Sequence, residues 1–163
     1  GNVSAAAPSY DWLQDANATI ALYHLDNGSF LTDSSIFGEN DLTNNGVAEV
    51  ASQASFGKAG DFSGDYPNVA NTPSQTAGVS KLTFEAWINL SAAMGNGDEY
   101  TIFSKTDGAA DQGYKVTIKQ QGTNRRIFFY GSLDGAAMVN VKSTGMKAST
   151  VLTSSVWHHV AVT

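Results

Sequence analysis

The chain has 163 residues, 42% of them hydrophobic and 15% charged, and carries a formal net charge of −6. That is enough apolar material for one buried core and argues against disorder, while the acidic balance disfavours a nucleic-acid partner, whose phosphates need a basic face. The absence of cysteine excludes disulfides, zinc–thiolate sites and thiol nucleophiles together, and no apolar run is long enough to insert into a membrane as a helix.

Sixteen glycines and many Asn, Ser and Thr separate short runs of Val, Ile, Phe and Tyr, the pattern of an all-β protein with frequent turns. Gly1 stands where an initiator methionine would, so the sequence is expected to be processed or taken from a longer chain. Residues 1–9 are small, polar and unpatterned and read as a linker or loose segment. Residues 10–163 read as one β-sandwich domain.

In chain order, Tyr10 to Gln14 is expected to form a short turn and Thr19 to Leu25 the first strand, followed by turn chemistry at Asp26-Asn27-Gly28. A weak strand is expected near Val47 to Ala51, and Phe56 to Phe62 brings the chain back into a sheet. Leu82 to Leu90 is the clearest element, with Phe84, Ala86 and Ile88 alternating against Glu85, Trp87 and Asn89, the period of two of a strand with two unlike faces. Met94 to Asp98 reads as a flexible excursion and Tyr100 to Lys105 as a strand. Tyr114 to Lys119 and Arg126 to Tyr130 flank a hairpin signal at Gln120 to Arg125, with Gly122 and Asn124 in the turn. Leu133 to Gly145 adds a further hairpin segment carrying Val139 and Val141. Trp157 to Thr163 repeats the two-faced design, with Val156, His158, Val160 and Val162 against Trp157, His159, Ala161 and Thr163.

Several phrases taken together, in order and spacing, resemble the laminin G-like members of the concanavalin A-like lectin/glucanase superfamily. They are ALYHLD (21–26), DSS (33–35), FGKAGDFSG (56–64), FEAWI (84–88), IFSK (102–105), Gly113-Tyr114 and WHHVAVT (157–163). The resemblance implies a jelly-roll β-sandwich of two antiparallel sheets, used mostly for extracellular recognition of glycans or proteins and often holding calcium. Relatives continue past the last phrase, so the sandwich is expected to lack its C-terminal strands. Its completion is expected from the remainder of the same protein or from neighbouring subunits, since an interior strand left as an edge invites association.

The superfamily's glucanases place acidic residues at alternate positions of one strand, because that sets nucleophile and acid/base beside one sugar. Here Glu85 is followed at those positions by Trp87 and Asn89, so no catalytic residues are assigned. His158 and His159 are adjacent and face opposite ways, which prevents joint chelation. Gly57-Lys58 lacks the following Ser or Thr of a phosphate loop and reads as a turn.

Calcium needs several oxygen ligands; Asp26, Asn27 and Asp33 offer them within one loop and Asp65 from a second, although the same residue types are ordinary turn formers. For a glycan, an aromatic platform with polar side chains is required. Glu85, Trp87, Asn89, Trp157 and His159 share strand faces, while Tyr114, Phe128 and Tyr130 alternate on other strands, where core packing is the competing role. Loop residues Tyr66, Asn96 and Asp107 are rivals for the same task. Asn-x-Ser/Thr sequons occur at Asn2, Asn17, Asn27 and Asn89, with Asn89, inside a strand, the poorest acceptor.

These readings point to an extracellular or cell-surface, non-catalytic recognition module for glycan or protein, stabilised by calcium. The alternatives are a structural subunit or spacer of a surface layer, pilus or filament and, third, a glycoside hydrolase.

Overall fold

The computed structural model describes residues 19–25, 31–35, 37–52, 57–69, 83–106, 113–132, 139–142, 146–147 and 152–163. The chain divides into two compact units, Gly1–Ala77 and Gly78–Thr163. Every strand pairing is antiparallel and no helix occurs among the described residues, so the all-β expectation holds.

In the first unit, β1 (Ala48–Ala51) pairs with β2 (Lys58–Asp61), and Thr43 bridges Asn68 through two backbone hydrogen bonds of 2.6 and 3.0 Å. The expected strand at Thr19 to Leu25 is not one. Its amide at Leu22 donates to a side chain, the Asp33 carboxylate, at 3.0 Å, and Ser34 N donates to Leu22 O at 2.8 Å, so no ladder forms. Leu25 then turns to φ 56°, a left-handed conformation that no strand can contain.

The second unit holds two sheets. One pairs β3 (Phe84–Asn89) with β9 (Trp157–Val162), in register from Phe84↔Val162 to Asn89↔Trp157. The other runs β4 (Glu99–Thr106), β5 (Gly113–Gln121), β6 (Asn124–Ser132) and β7 (Val139–Lys142), with β8 (Met146–Lys147) also on β6. The sheets are joined by an apolar core. Val160, Ala86 and Ile88 from the first meet Ile102, Ile118 and Ile127 from the second, with Leu90, Met94 and Leu152 from the connections. Met94 is 8% exposed, so the segment expected to be a flexible excursion begins with a core residue. The turn that follows it is tied back to Gln120 through Gly97 N→Gln120 O (2.9 Å) and Gln120 N→Asp98 O (2.9 Å).

Two local features set the core. The register of β4 against β5 jumps from Thr101↔Thr117 to Phe103↔Val116, so Ile102 is the extra residue of a bulge. That lets Ile102 pack in the core cluster while Phe103, its neighbour, bridges Phe84 (centroids 5.2 Å) and Tyr114 (5.7 Å). The β5–β6 hairpin turns on Gly122 and Thr123, with Gln121↔Asn124 closing the ladder, so Asn124 lies in the strand and not in the turn. Gly122 takes φ 61°, the left-handed value that a two-residue hairpin loop with glycine first requires. Next to it Arg125, only 4% exposed, donates Nε to Gln120 Oε1 at 3.1 Å, an Nη to Leu152 O and the other Nη to Ser154 Oγ at 3.4 Å. Arg125, expected only as the end of the hairpin signal, thus supplies a buried clamp on the loop before β9.

Candidate functional site

The alternation of β3 and β9 decides what the smaller sheet displays. Burial along β3 alternates from half-buried to exposed at each residue, because even-numbered side chains enter the core and odd-numbered ones do not. On the outer face Trp87 lies opposite His159, Asn89 opposite Trp157 and Glu85 opposite Ala161. Five of the expected ligand residues, Glu85, Trp87, Asn89, Trp157 and His159, are therefore brought together.

Their geometry is specific. Trp87 is 51% exposed, and its ring centroid lies 5.3 Å from that of His159 at 47°. His159 Nε2 is 3.6 Å from Glu85 Oε2. An indole with a flat exposed side is thus flanked by an imidazole and a carboxylate, and Trp157 lies on the diagonal from Trp87, within reach of a long side chain or of one extended ligand. The adjacent His158 points inward, its Nε2 3.1 Å from Thr153 O, as the alternation requires.

Tyr114 does not join this face. It stands on β5 on the side of Val116 and Ile118, is 9% exposed and stacks on Phe103, and burial holds its phenol above the ordinary range. The physical reason is parity: an even position on β5 points between the sheets. Tyr130 is on the opposite side of the larger sheet, stacked on Phe128 at 5.8 Å. Among the loop rivals, Tyr66 is 66% exposed, Asn96 Oδ1 accepts Gly122 N at 2.7 Å and so braces the hairpin, and Asp107 lies outside the described residues, as do Asn2, Asn17 and the Tyr10 to Gln14 turn.

The calcium ligands fare differently. Asp26 and Asn27 lie outside the described residues. Asp33 is buried at 4% exposure, and its carboxylate is already filled by N–H donors. Oδ1 accepts Leu22 N (3.0 Å) and Ser35 N (2.9 Å), and Oδ2 accepts Asn40 N (3.2 Å) and Asn40 Nδ2 (2.9 Å). A carboxylate has about four lone-pair sites, so none is left for a cation. Burial alone would raise the Asp33 pKa, but these donors, the Leu22 and Ser35 amides foremost, bring it below the ordinary range. Asp65 is exposed and lies against Gly46, where a Cβ would come within 2.7 Å of its Cγ. No group of three or more His, Asp or Glu able to hold a metal occurs among the described residues. The described residues do not fit a calcium site centred on Asp33.

What Asp33 does instead was not legible in the motif. It joins the Leu22 segment to the Ser35–Asn40 loop, while Asp41 Oδ1 accepts Asp33 N at 2.8 Å, Tyr23 OH donates to Asn40 O at 2.6 Å and Asn40 Nδ2 to Ile20 O at 2.7 Å. Burial first, then the Asp33 and Asp41 charges, push the Tyr23 phenol well above its usual range.

Comparison with curated proteins and with solved structures gave no match. A family model described as the concanavalin A-like lectin/glucanases superfamily, of laminin G type, matches residues 62–163. Those residues hold β3 to β9 and the phrases FEAWI, IFSK, Gly113-Tyr114 and WHHVAVT. The two facing antiparallel sheets agree with the jelly-roll sandwich of that superfamily, and a carbohydrate- or protein-binding module is what such membership suggests. By a match over more than half its length, the chain belongs to the concanavalin A-like lectin/glucanases superfamily.

Proposed function

We propose that this chain is a non-catalytic recognition module of an extracellular or cell-surface protein, and that it takes a glycan on the outer face of β3 and β9. The observation that carries the reading is the half-exposed Trp87 beside His159 and Glu85, with Trp157 and Asn89 in the next row. An indole covers the C–H face of a pyranose while a carboxylate and an imidazole take hydroxyl hydrogen bonds in fixed directions. Glu85 is the one carboxylate in the three rows Glu85/Ala161, Trp87/His159 and Asn89/Trp157 of the face, whereas glycoside hydrolysis requires two flanking one bond; this supports binding without cleavage.

A glycan array followed by titration of the selected polysaccharides, read by tryptophan fluorescence, tests it. Trp87→Ala is expected to weaken the selected ligand by about tenfold or more, the equivalent of roughly 1.4 kcal/mol, with an unchanged melt. No binding on the array or in solution would overturn the glycan reading and move the assignment to a structural subunit, and cleavage abolished by Glu85→Gln would move it to an enzyme.

A further inference from the structure

The end of β3 joins two features that lie apart in the sequence analysis, a sequon and a pair of tryptophans. Asn89-Leu90-Ser91 has the Asn-x-Ser pattern, and a place in a strand weakens such an acceptor only where the strand hides its side chain. Asn89 is the last residue of β3 and is exposed, and Ser91 is exposed in the bend that follows, while Leu90 between them enters the core. Strand parity thus sends the acceptor amide outward, and a bulky group on its Nδ2 would displace no core side chain. The other sequons, at Asn2, Asn17 and Asn27, lie outside the described residues.

The neighbours of Asn89 are the second observation. Trp87, two residues earlier, shares its face at roughly 6 to 7 Å along the strand and is 51% exposed. Trp157 is the cross-strand partner of Asn89, a relation that sets Cβ atoms about 4.5 to 5.5 Å apart, and it is half-buried. A sugar joined to an amide nitrogen between two indoles finds apolar ring surface for its C–H face without leaving its point of attachment. The backbone beneath is fixed: the β3–β9 ladder runs to Asn89↔Trp157 itself, and Leu90 O accepts Ser155 N at 2.7 Å.

We propose that Asn89 is an N-glycan acceptor whose first sugar packs on Trp87 and Trp157 and closes the outer face of β3 and β9 to external ligands. The reaction is a transfer from a lipid-diphosphate-linked oligosaccharide. The bond from Asn89 Nδ2 to C1 of the first sugar forms, the bond from C1 to the diphosphate oxygen breaks, the lipid diphosphate leaves, and the amide nitrogen gives up one proton. Because β9 follows far behind β3 in the sequence, the sequon meets a transferase before its partner strand is made, so the finished ladder is no obstacle. The inference rests on the extracellular reading for the route the chain travels, but not on any external ligand. Where such a ligand exists, modification of Asn89 decides whether the face is open to it.

The test is the full chain secreted from a eukaryotic cell, with the mass of its Asn89 peptide measured before and after enzymatic glycan removal. Asn89 is expected to be occupied, Ser91→Ala to abolish that occupancy and Ser91→Thr to retain it. Tryptophan emission and the melt then read where the sugar sits. A chain trimmed by an endoglycosidase to its first sugar should emit further to the blue and melt higher than Ser91→Ala, and Trp87→Ala should cancel most of both differences. An unmodified Asn89 in the secreted chain, or the same emission with and without the first sugar, would overturn the proposal. Should Trp87→Ala not be secreted, the comparison of the trimmed chain with Ser91→Ala decides alone. A glycan array separates this inference from the recognition reading, since Ser91→Ala keeps every side chain of the face. Binding by Ser91→Ala and not by the occupied parent supports closure, and equal binding by both overturns it. Binding by neither removes the recognition reading, while occupancy and emission still decide whether Asn89 carries a sugar seated on the tryptophans.

Discussion

The two units solve the same problem, satisfying a buried backbone, by different means. In Gly78–Thr163 the amides are paired in ladders, and side-chain alternation delivers Ile88, Ile102, Ile118, Ile127 and Val160 to a shared core. In Gly1–Ala77, beside the short β1–β2 ladder, the buried carboxylate of Asp33 gathers the amides of Leu22, Ser35 and Asn40, and the strand expected at Thr19 to Leu25 is replaced by an irregular segment held at its middle. The difference teaches where each kind of stability resides. Ladders with an apolar face distribute it over many residues, whereas an acceptor hub concentrates it in one ionised group.

Substitutions that strike each centre should separate the two. Ile118→Ala removes a side chain 1% exposed at the centre of the second unit, and is expected to cost about 3 to 4 kcal/mol through lost burial and the residual cavity. In a denaturant melt followed by hydrogen exchange, the loss should appear as faster exchange across β3 to β6. A cost under about 1 kcal/mol would mean that the core is not centred there.

Asp33→Ala should cost about 2 to 3 kcal/mol, because buried N–H donors lose charged acceptors, with protection lost at Leu22, Ser35 and Asn40. This effect depends on pH in a determined direction. The folded-state pKa of Asp33 lies below the ordinary value, so its contribution is complete above the unfolded pKa of about 3.9 and disappears as pH falls through the folded value. The gap in stability between the parent chain and Asp33→Ala should therefore be constant near neutrality and narrow below about pH 4. A gap that widens on acidification would reverse the assignment.

A metal chelator gives the smallest expected effect. If N–H donors fill the Asp33 carboxylate, the chelator leaves the melting temperature unchanged. A fall of several degrees, restored by calcium, would show a cation stabilising the folded state by mass action and would break the contrast between the units.

Much of the second unit can be read from its residues alone. FEAWIN places Phe84, Ala86 and Ile88 at every second position and WHHVAV places His158, Val160 and Val162 there, and because successive strand side chains must point to opposite faces, that spacing dictates both the strands and the opposite set, Glu85, Trp87, Asn89, Trp157 and His159. The β5–β6 hairpin follows in the same way from two alternating runs about a glycine.

What the alternation cannot decide is which segments meet. Thr19 to Leu25 alternates too, yet the Asp33 carboxylate takes the Leu22 amide that a ladder would need. Tyr114 and Tyr130 carry the same aromatic chemistry as the tryptophans, but their parity, set by pairing with β4 and β6, sends one between the sheets and the other to the far face. Arg125 reads only as the end of a hairpin signal until Gln120, Leu152 and Ser154 close around it. In each case the deciding partner is distant in sequence or belongs to a side chain. Composition and periodicity determine which faces are apolar, and only the tertiary structure determines what those faces and their polar neighbours are set against.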